Sequence, residues 1–182
     1  GEFNGVRVAF GIAYREDSEF NGPNQFAGIA PNELCTTNCD RKESALMGSA
    51  SILHVPTGLF LTGAAGSRER EGGVTDTNIG TVDNRNADAS FWWLSGGIAK
   101  NFFGVGNTVL FAEFSQHDDA LRMVRNTVVG SEMSHWGLGV NQYIDAAAMQ
   151  LYAGYRNHNH VTVGGVDRGD IGIFLAGARI NF

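Results

Sequence analysis

Apolar and polar residues alternate with a period of two along most of the chain. In residues 6–15, valine, phenylalanine, isoleucine and tyrosine occupy the even positions, and small residues or arginine occupy the odd positions. A period of two is that of a β-strand, in which successive side chains point to opposite faces. The pattern therefore predicts a strand with one apolar face and one small or charged face.

Runs of this kind recur, so the pattern predicts an all-β chain of eight strands. The predicted strands cover residues 5–15, 44–55, 59–68, 90–101, 108–116, 134–144, 147–156 and 170–182. Their connections alternate between long polar segments and short turns, such as the Pro-Thr-Gly turn at residues 56–58. Strands of about ten residues with this alternation are typical of a transmembrane antiparallel β-barrel. We therefore predict a single transmembrane β-barrel segment over residues 1–182.

Aromatic residues give a second indication of a membrane. With the short turns placed on the periplasmic side, aromatic side chains gather at both ends of the predicted strands. Amphipathic rings favour the membrane–water interface, so the two levels are predicted to be aromatic girdles. The outer girdle comprises Tyr14, Trp92, Trp136 and Tyr155, and the periplasmic girdle comprises Phe102, Tyr143 and Phe182.

The alternation also assigns side chains to the two faces of the predicted wall. With Phe182 facing lipid, the last strand directs Phe174 and Ile180 outward and Arg179 inward. The strand over residues 44–55 stays ambiguous, because both of its faces are apolar or small. A water-filled lumen removes the cost of burying unpaired charge. The lumen-facing candidates are Arg7, Arg15, Arg68, Glu113, His135, Asn141, Gln150, Arg156 and Arg179.

The balance of charge among these candidates has two interpretations. Five arginines against one glutamate would favour anions inside a pore. Alternatively, the arginines pair with acidic loop residues and attach the loops to the wall. Both interpretations stay open on the sequence.

Composition excludes other classes of protein. The net charge is −6 and no basic stripe is present, which argues against nucleic-acid binding. No apolar run approaches the roughly 20 residues of a transmembrane helix. The 25 glycines and 3 prolines suit strands and turns. The first residues do not read as a secretory signal, so we expect a removed leader or a fragment.

Cys35 and Cys39 are the only cysteines in the sequence. Their spacing is too short for a zinc site without further partners. We expect a small disulfide loop formed in an oxidising compartment, with free thiols as the alternative.

Four segments carry a family resemblance: ILHVPTGLFLTGA, SFWWLSGGIAKNFFGVGNTVLFAEFSQHDDA, SHWGLGVNQYIDAAAMQLYAGYR and AGARINF. They resemble the carboxyl-terminal half of bacterial (proteobacterial) outer-membrane porins. The resemblance implies passive diffusion of small hydrophilic solutes or ions, usually through a homotrimer in the outer membrane. The ending at Phe182 is similar to the signal that the barrel-assembly machinery recognises. In such porins a loop folded into the lumen narrows the pore, and residues 16–43 are the first candidate.

Porins of this kind are longer than the chain, so we expect a larger barrel of about 16 strands. The expected partners are a missing amino-terminal half of the barrel, outer-membrane lipid and lipopolysaccharide. Alternatively, eight strands close alone into a structural outer-membrane barrel whose interior is filled by side chains.

Catalytic chemistry is not expected, and neither a cofactor nor a metal site is predicted. His117 and Asp118, in a predicted outer loop, leave an outer-rim hydrolase as a lesser alternative. His158 and His160 alternate on one strand face and could bind a metal, although a solvated loop is expected. Carboxylates of the long segments could hold divalent cations against lipopolysaccharide, with solvated charge as the alternative. These carboxylates are Glu16, Asp17, Glu19 and Asp40.

Overall fold

Long antiparallel strands make up most of the computed structural model. The structure describes residues 1–20, 40–71, 74–76, 80–82, 88–119, 130–163 and 166–180. The eight long strands are β1 (Val6–Phe20), β2 (Asp40–His54), β3 (Leu59–Glu71), β4 (Ala89–Lys100), β5 (Thr108–Asp118), β6 (Ser131–Ile144), β7 (Met149–Val163) and β8 (Ile171–Ile180). The shorter elements are the strand pieces Glu2–Phe3, Val74–Asp76, Gly80–Val82 and Val166–Asp167, and a single 3₁₀ turn at Asp145–Ala147. The prediction of an all-β antiparallel chain is confirmed.

Each long strand pairs with its neighbours in the chain, so the sheet is a meander from β1 to β8. Val74–Asp76 and Gly80–Val82 pair separately as a two-stranded sheet. Within the described ranges, β8 pairs only with β7, and the far edge of β1 is covered only by Glu2–Phe3. The eight long strands therefore form one sheet, and in the described ranges its two edges stay open.

Several strands are longer than the sequence predicted, and the extra residues adjoin the long connections. β1 reaches Phe20 instead of residue 15, β2 begins at Asp40 instead of residue 44, and β7 reaches Val163 instead of residue 156. The prediction ended each strand where the apolar alternation stopped. Pairing between strands uses backbone groups, so it continues into polar sequence.

The extensions change the placement of some residues predicted in loops. Glu16, Asp17, Glu19 and Asp40 belong to strands. At the two ends of the candidate constriction over residues 16–43, residues 16–20 of β1 pair with the first residues of β2. Residues 21–39, with Cys35 and Cys39, lie outside the described residues, as does Phe182. Among the residues that the structure describes, no helix has the length and apolar character needed to cross a membrane.

The strand registers divide the side chains between two faces, because residues directly opposite each other share a face. The apolar face carries Val8, Phe10, Ile12, Tyr14, Leu46, Ala50, Ile52, Leu61, Ala65, Trp92, Leu94, Ile98, Leu110, Ala112, Phe114, Trp136, Leu138, Val140, Leu151, Ala153, Tyr155, Phe174, Ala176, Ala178 and Ile180. The polar face carries Arg7, Arg15, Ser49, Ser51, Thr62, Arg68, Ser95, Glu113, His135, Asn141, Gln150, Arg156 and Arg179. The register with β1 also assigns the ambiguous strand β2, whose Leu46 and Ile52 lie on the apolar face.

Large side chains on the apolar face are open to the surroundings. Phe10 is 88% exposed and Phe174 is 70% exposed, and exposed leucines continue across the strands between them. A continuous exposed apolar surface of this extent marks contact with a membrane or with another protein.

Aromatic rings on the polar face lie across glycines of the neighbouring strand. Four directly opposed pairs have this arrangement: Phe60–Gly97, Phe91–Gly66, Phe111–Gly139 and Tyr152–Gly177. A methyl group at Gly139 would overlap the Phe111 ring, whereas one at Gly11 would meet Ser49 Oγ at 3.5 Å, an ordinary contact. The rings pack flat against the sheet because these glycines lack side chains.

We predict that Gly139→Val destabilises the fold by about 1–3 kcal/mol, because the added side chain must displace the Phe111 ring. The midpoint of urea unfolding of the refolded protein measures the change. Gly11→Val is the matched control on the same face, and its midpoint should stay equal or rise, because valine suits a strand better than glycine. Equal losses in both variants would contradict the ring–glycine packing.

Candidate functional site

Side-chain hydrogen bonds between strands of the polar face converge on Glu113, at the centre of β5. Arg156 on β7 donates to Glu113 Oε1 through Nε at 2.8 Å and also through Nη2. Trp93 on β4 donates from Nε1 to Glu113 Oε2 at 3.1 Å. One carboxylate therefore joins three strands of the sheet.

Strand β6 passes between Glu113 and Arg156 at Gly137, which is directly opposite both residues. A Cβ atom at Gly137 would lie 2.9 Å from Glu113 Oε1. The missing side chain lets the ion pair cross β6. Sequence reasoning missed Gly137 and Trp93, because their role depends on which residues the register brings together.

The two partners of the ion pair differ in burial. The Glu113 side chain is 9% exposed and the Arg156 side chain is 47% exposed. Charge-assisted hydrogen bonds offset the desolvation of the carboxylate. Because the carboxylate lies beneath the guanidinium, the pair presents mainly N–H donors to the surroundings.

A row of rings crosses β4 to β7 beside this ion pair. The centroids of Phe91 and His117 are 5.8 Å apart, those of His117 and His135 are 6.1 Å apart, and those of His135 and His158 are 5.1 Å apart. Ser115 Oγ is hydrogen-bonded to His135 Nδ1 at 2.6 Å. His135 Nε2 lies 4.0 Å from Glu113 Oε1. Side-chain contacts between strands of the polar face therefore continue from the ion pair toward the long connections.

These contacts give no support to a hydrolase. His117 belongs to β5, not to the loop predicted from the sequence, and Asp118 follows it on the opposite face. The two side chains therefore cannot act as a couple on one substrate. Ser115 is fully buried, so its hydroxyl is not accessible as a nucleophile.

The described part of the chain gives no support to a metal site. No group of three or more His, Cys, Asp or Glu side chains there could hold a metal ion. His158 lies on the polar face of β7, and the side chain of His160 lies outside the described residues.

All nine lumen-facing candidates lie on the polar face, but their charges are partly neutralised there. Arg7 pairs with Glu2 at 2.9 Å and Arg15 with Asp17 at 2.7 Å, in addition to the Arg156–Glu113 pair. These acidic partners are strand residues, not loop residues. The excess of arginine is therefore smaller than the five to one counted along the sequence.

The predicted girdle residues divide between the two faces. Four of them lie on the apolar face, toward the long connections: Tyr14, Trp92, Trp136 and Tyr155. Phe102 lies in the short connection after β4 and is exposed. Tyr143 is opposite Gln150 on the polar face, the face that the alternation from Trp136 along β6 predicts, so this girdle residue points away from the apolar band.

Comparison with known proteins adds no assignment to this geometry. No protein-family model matches the chain, and no curated protein or solved structure shows significant similarity to it. Function must therefore be inferred from the two faces of the sheet and from the contacts of their side chains.

We predict that Glu113→Gln lowers the free energy of unfolding by about 1–3 kcal/mol, a range limited by the partial exposure of Arg156. The substitution keeps an acceptor for Trp93 and removes the ion pair with Arg156. Urea unfolding followed by tryptophan fluorescence measures the loss. Glu2→Gln removes the exposed pair with Arg7 and should change stability by less than about 0.5 kcal/mol. Equal effects of the two substitutions would show that Glu113 does not link the strands.

Proposed function

We propose that the chain forms part of the wall of an outer-membrane porin, through which small hydrophilic solutes or ions diffuse passively. The observation that carries this proposal is the separation of faces. One consistent register puts an unbroken apolar band on one side of eight strands and all nine charged or polar candidates on the other. A lipid-facing band opposite a water-facing lining is the arrangement that a pore wall requires.

The position of charge on the apolar face supports the proposal. Within the described side chains, charged residues of this face occur only near the strand ends: Glu16, Glu69, Lys100, Asp118, Glu132 and Asp167. In β1 the apolar band extends from Val6 to Tyr14. That is about nine residues, the length of a tilted strand that crosses the hydrocarbon layer.

The open edges favour a larger barrel over a self-closed one. An unpaired strand edge is not tolerated in hydrocarbon, so β1 and β8 each need a partner. They do not pair with each other in the described residues. We therefore favour a barrel of about 16 strands, assembled as a homotrimer in the bacterial outer membrane, over an eight-stranded structural barrel.

Thiol labelling tests the assignment of faces. In a Cys35→Ser, Cys39→Ser background, Gln150→Cys should react with a small membrane-impermeant thiol reagent in intact outer membranes. Leu151→Cys, its neighbour on the opposite face, should react at least about tenfold more slowly, because thiols ionise poorly in an apolar environment. Equal labelling rates would argue against a wall between lipid and water.

Planar-bilayer recording tests the pore itself. The full-length protein should produce stepwise, ohmic openings in KCl, because a water-filled lumen conducts in proportion to the applied voltage. A heat-denatured sample is the control and should produce none. A folded protein that inserts without conducting would refute the pore and support the structural barrel.

A further inference from the structure

An open hollow of about 310 Å³ lies on the polar face beside the Glu113–Arg156 pair. Phe111 on β5, Tyr152 on β7 and Leu175 on β8 line it. In the register, Gly154 lies between Gly139 and Leu175. The hollow is therefore built over β6 and β7, with larger side chains on either side.

Gly154 leaves this space open. A Cβ atom built there would meet no side chain closely, and its nearest neighbour would be the Leu138 carbonyl oxygen at 3.4 Å. The Phe111 ring lies across Gly139, so one side of the ring rests against the sheet and the other faces away from it. The floor of the hollow is therefore formed by the backbone at Gly154 and by the exposed side of the Phe111 ring.

The side of the hollow formed by β8 is apolar, although it belongs to the polar face. Ile173 is 49% exposed and Leu175 is 62% exposed. When an apolar group covers exposed aliphatic side chains of a water-filled lining, apolar surface is removed from water and the free energy falls.

The end of the hollow toward the long connections supplies hydrogen-bond donors, because Arg156 and His158 follow Gly154 along β7. Arg156 is half exposed, and its Nη1 makes no hydrogen bond to a described residue. His158 also lines the hollow, and its Nδ1 is buried without a partner in the described part of the chain. The Glu113 carboxylate is buried and occupied by Arg156 and Trp93, so it offers little repulsion to an incoming anion.

We propose that this hollow binds a small carboxylate with an apolar body, the size of a single aromatic ring. The carboxylate accepts hydrogen bonds from the Arg156 guanidinium, and the apolar body covers Ile173, Leu175 and the Phe111 ring. A sugar fits less well, because many of its hydroxyl groups would face aliphatic side chains without a partner. The assignment rests on the proposed pore function, in which the hollow is a binding site for solutes along the lumen.

Three probes distinguish the contribution of the carboxylate from that of the aromatic ring. Benzoate carries both the ring and the carboxylate, acetate carries only the carboxylate, and benzyl alcohol carries only the ring. Benzoate should reduce the KCl current of open channels at concentrations at least about tenfold lower than acetate or benzyl alcohol. Equal effects of benzoate and acetate would overturn the proposal in favour of general attraction of anions.

Variants of hollow residues test whether benzoate blocks the current by binding there. Gly154→Val fills the floor and Arg156→Gln removes the charged donors, and each should raise the half-blocking benzoate concentration about tenfold or more. Gly11→Val lies on the same face away from the hollow and should leave that concentration unchanged. An unchanged benzoate effect in Gly154→Val would overturn the proposal even if Arg156→Gln fails to fold.

The two proposals fail in different ways. Channels that open in KCl but ignore benzoate would refute the binding site and leave the pore standing. Absence of any channel would refute the pore, and equilibrium dialysis of radiolabelled benzoate against the refolded full-length protein would then decide the site. Saturable binding that Gly154→Val weakens supports the site, and absence of saturable binding refutes it.

Discussion

The hydrogen-bonded register between neighbouring strands is the constraint on which the rest of the structure depends. Side chains alternate with a period of two, so slipping one strand by a single residue would exchange its two faces. In β7 such a slip would place Arg156 on the apolar face and Tyr155 on the polar face. Burial of charge against an apolar environment makes this exchange costly, so the apolar band and the charged lining together specify one register.

Contacts on the polar face reinforce that register across several strands at once. The carboxylate of Glu113 accepts a hydrogen bond from Trp93 on the neighbouring strand β4, and it reaches Arg156 on β7 because Gly137 on β6 leaves room between them. The ring–glycine pairs act in the same way between adjacent strands, since each ring needs a glycine directly opposite. Glycine therefore serves two purposes in this sheet: it lets rings lie flat and it lets an ion pair cross a strand.

The sequence was sufficient for properties that depend on one strand at a time. Alternation within a strand predicted the all-β antiparallel fold and placed residues such as Arg179 and Phe174 on opposite faces. Properties that depend on neighbours were not predictable, because the register was unknown. The faces of β2 and the bond from Trp93 to Glu113 belong to this second kind.

Strand β1 continues beyond Tyr14, the residue that it contributes to the outer aromatic girdle, so the long connection after β1 begins well past that girdle. The strand continues for six residues from Tyr14 to Phe20. At about 3.3 Å per residue this adds roughly 20 Å of paired backbone. In an outer membrane, the segment after Phe20 would start at the height of the lipopolysaccharide sugars, clear of the lipid headgroups. A peptide epitope inserted there would be displayed on a paired β-ribbon, within reach of an antibody that never contacts the membrane.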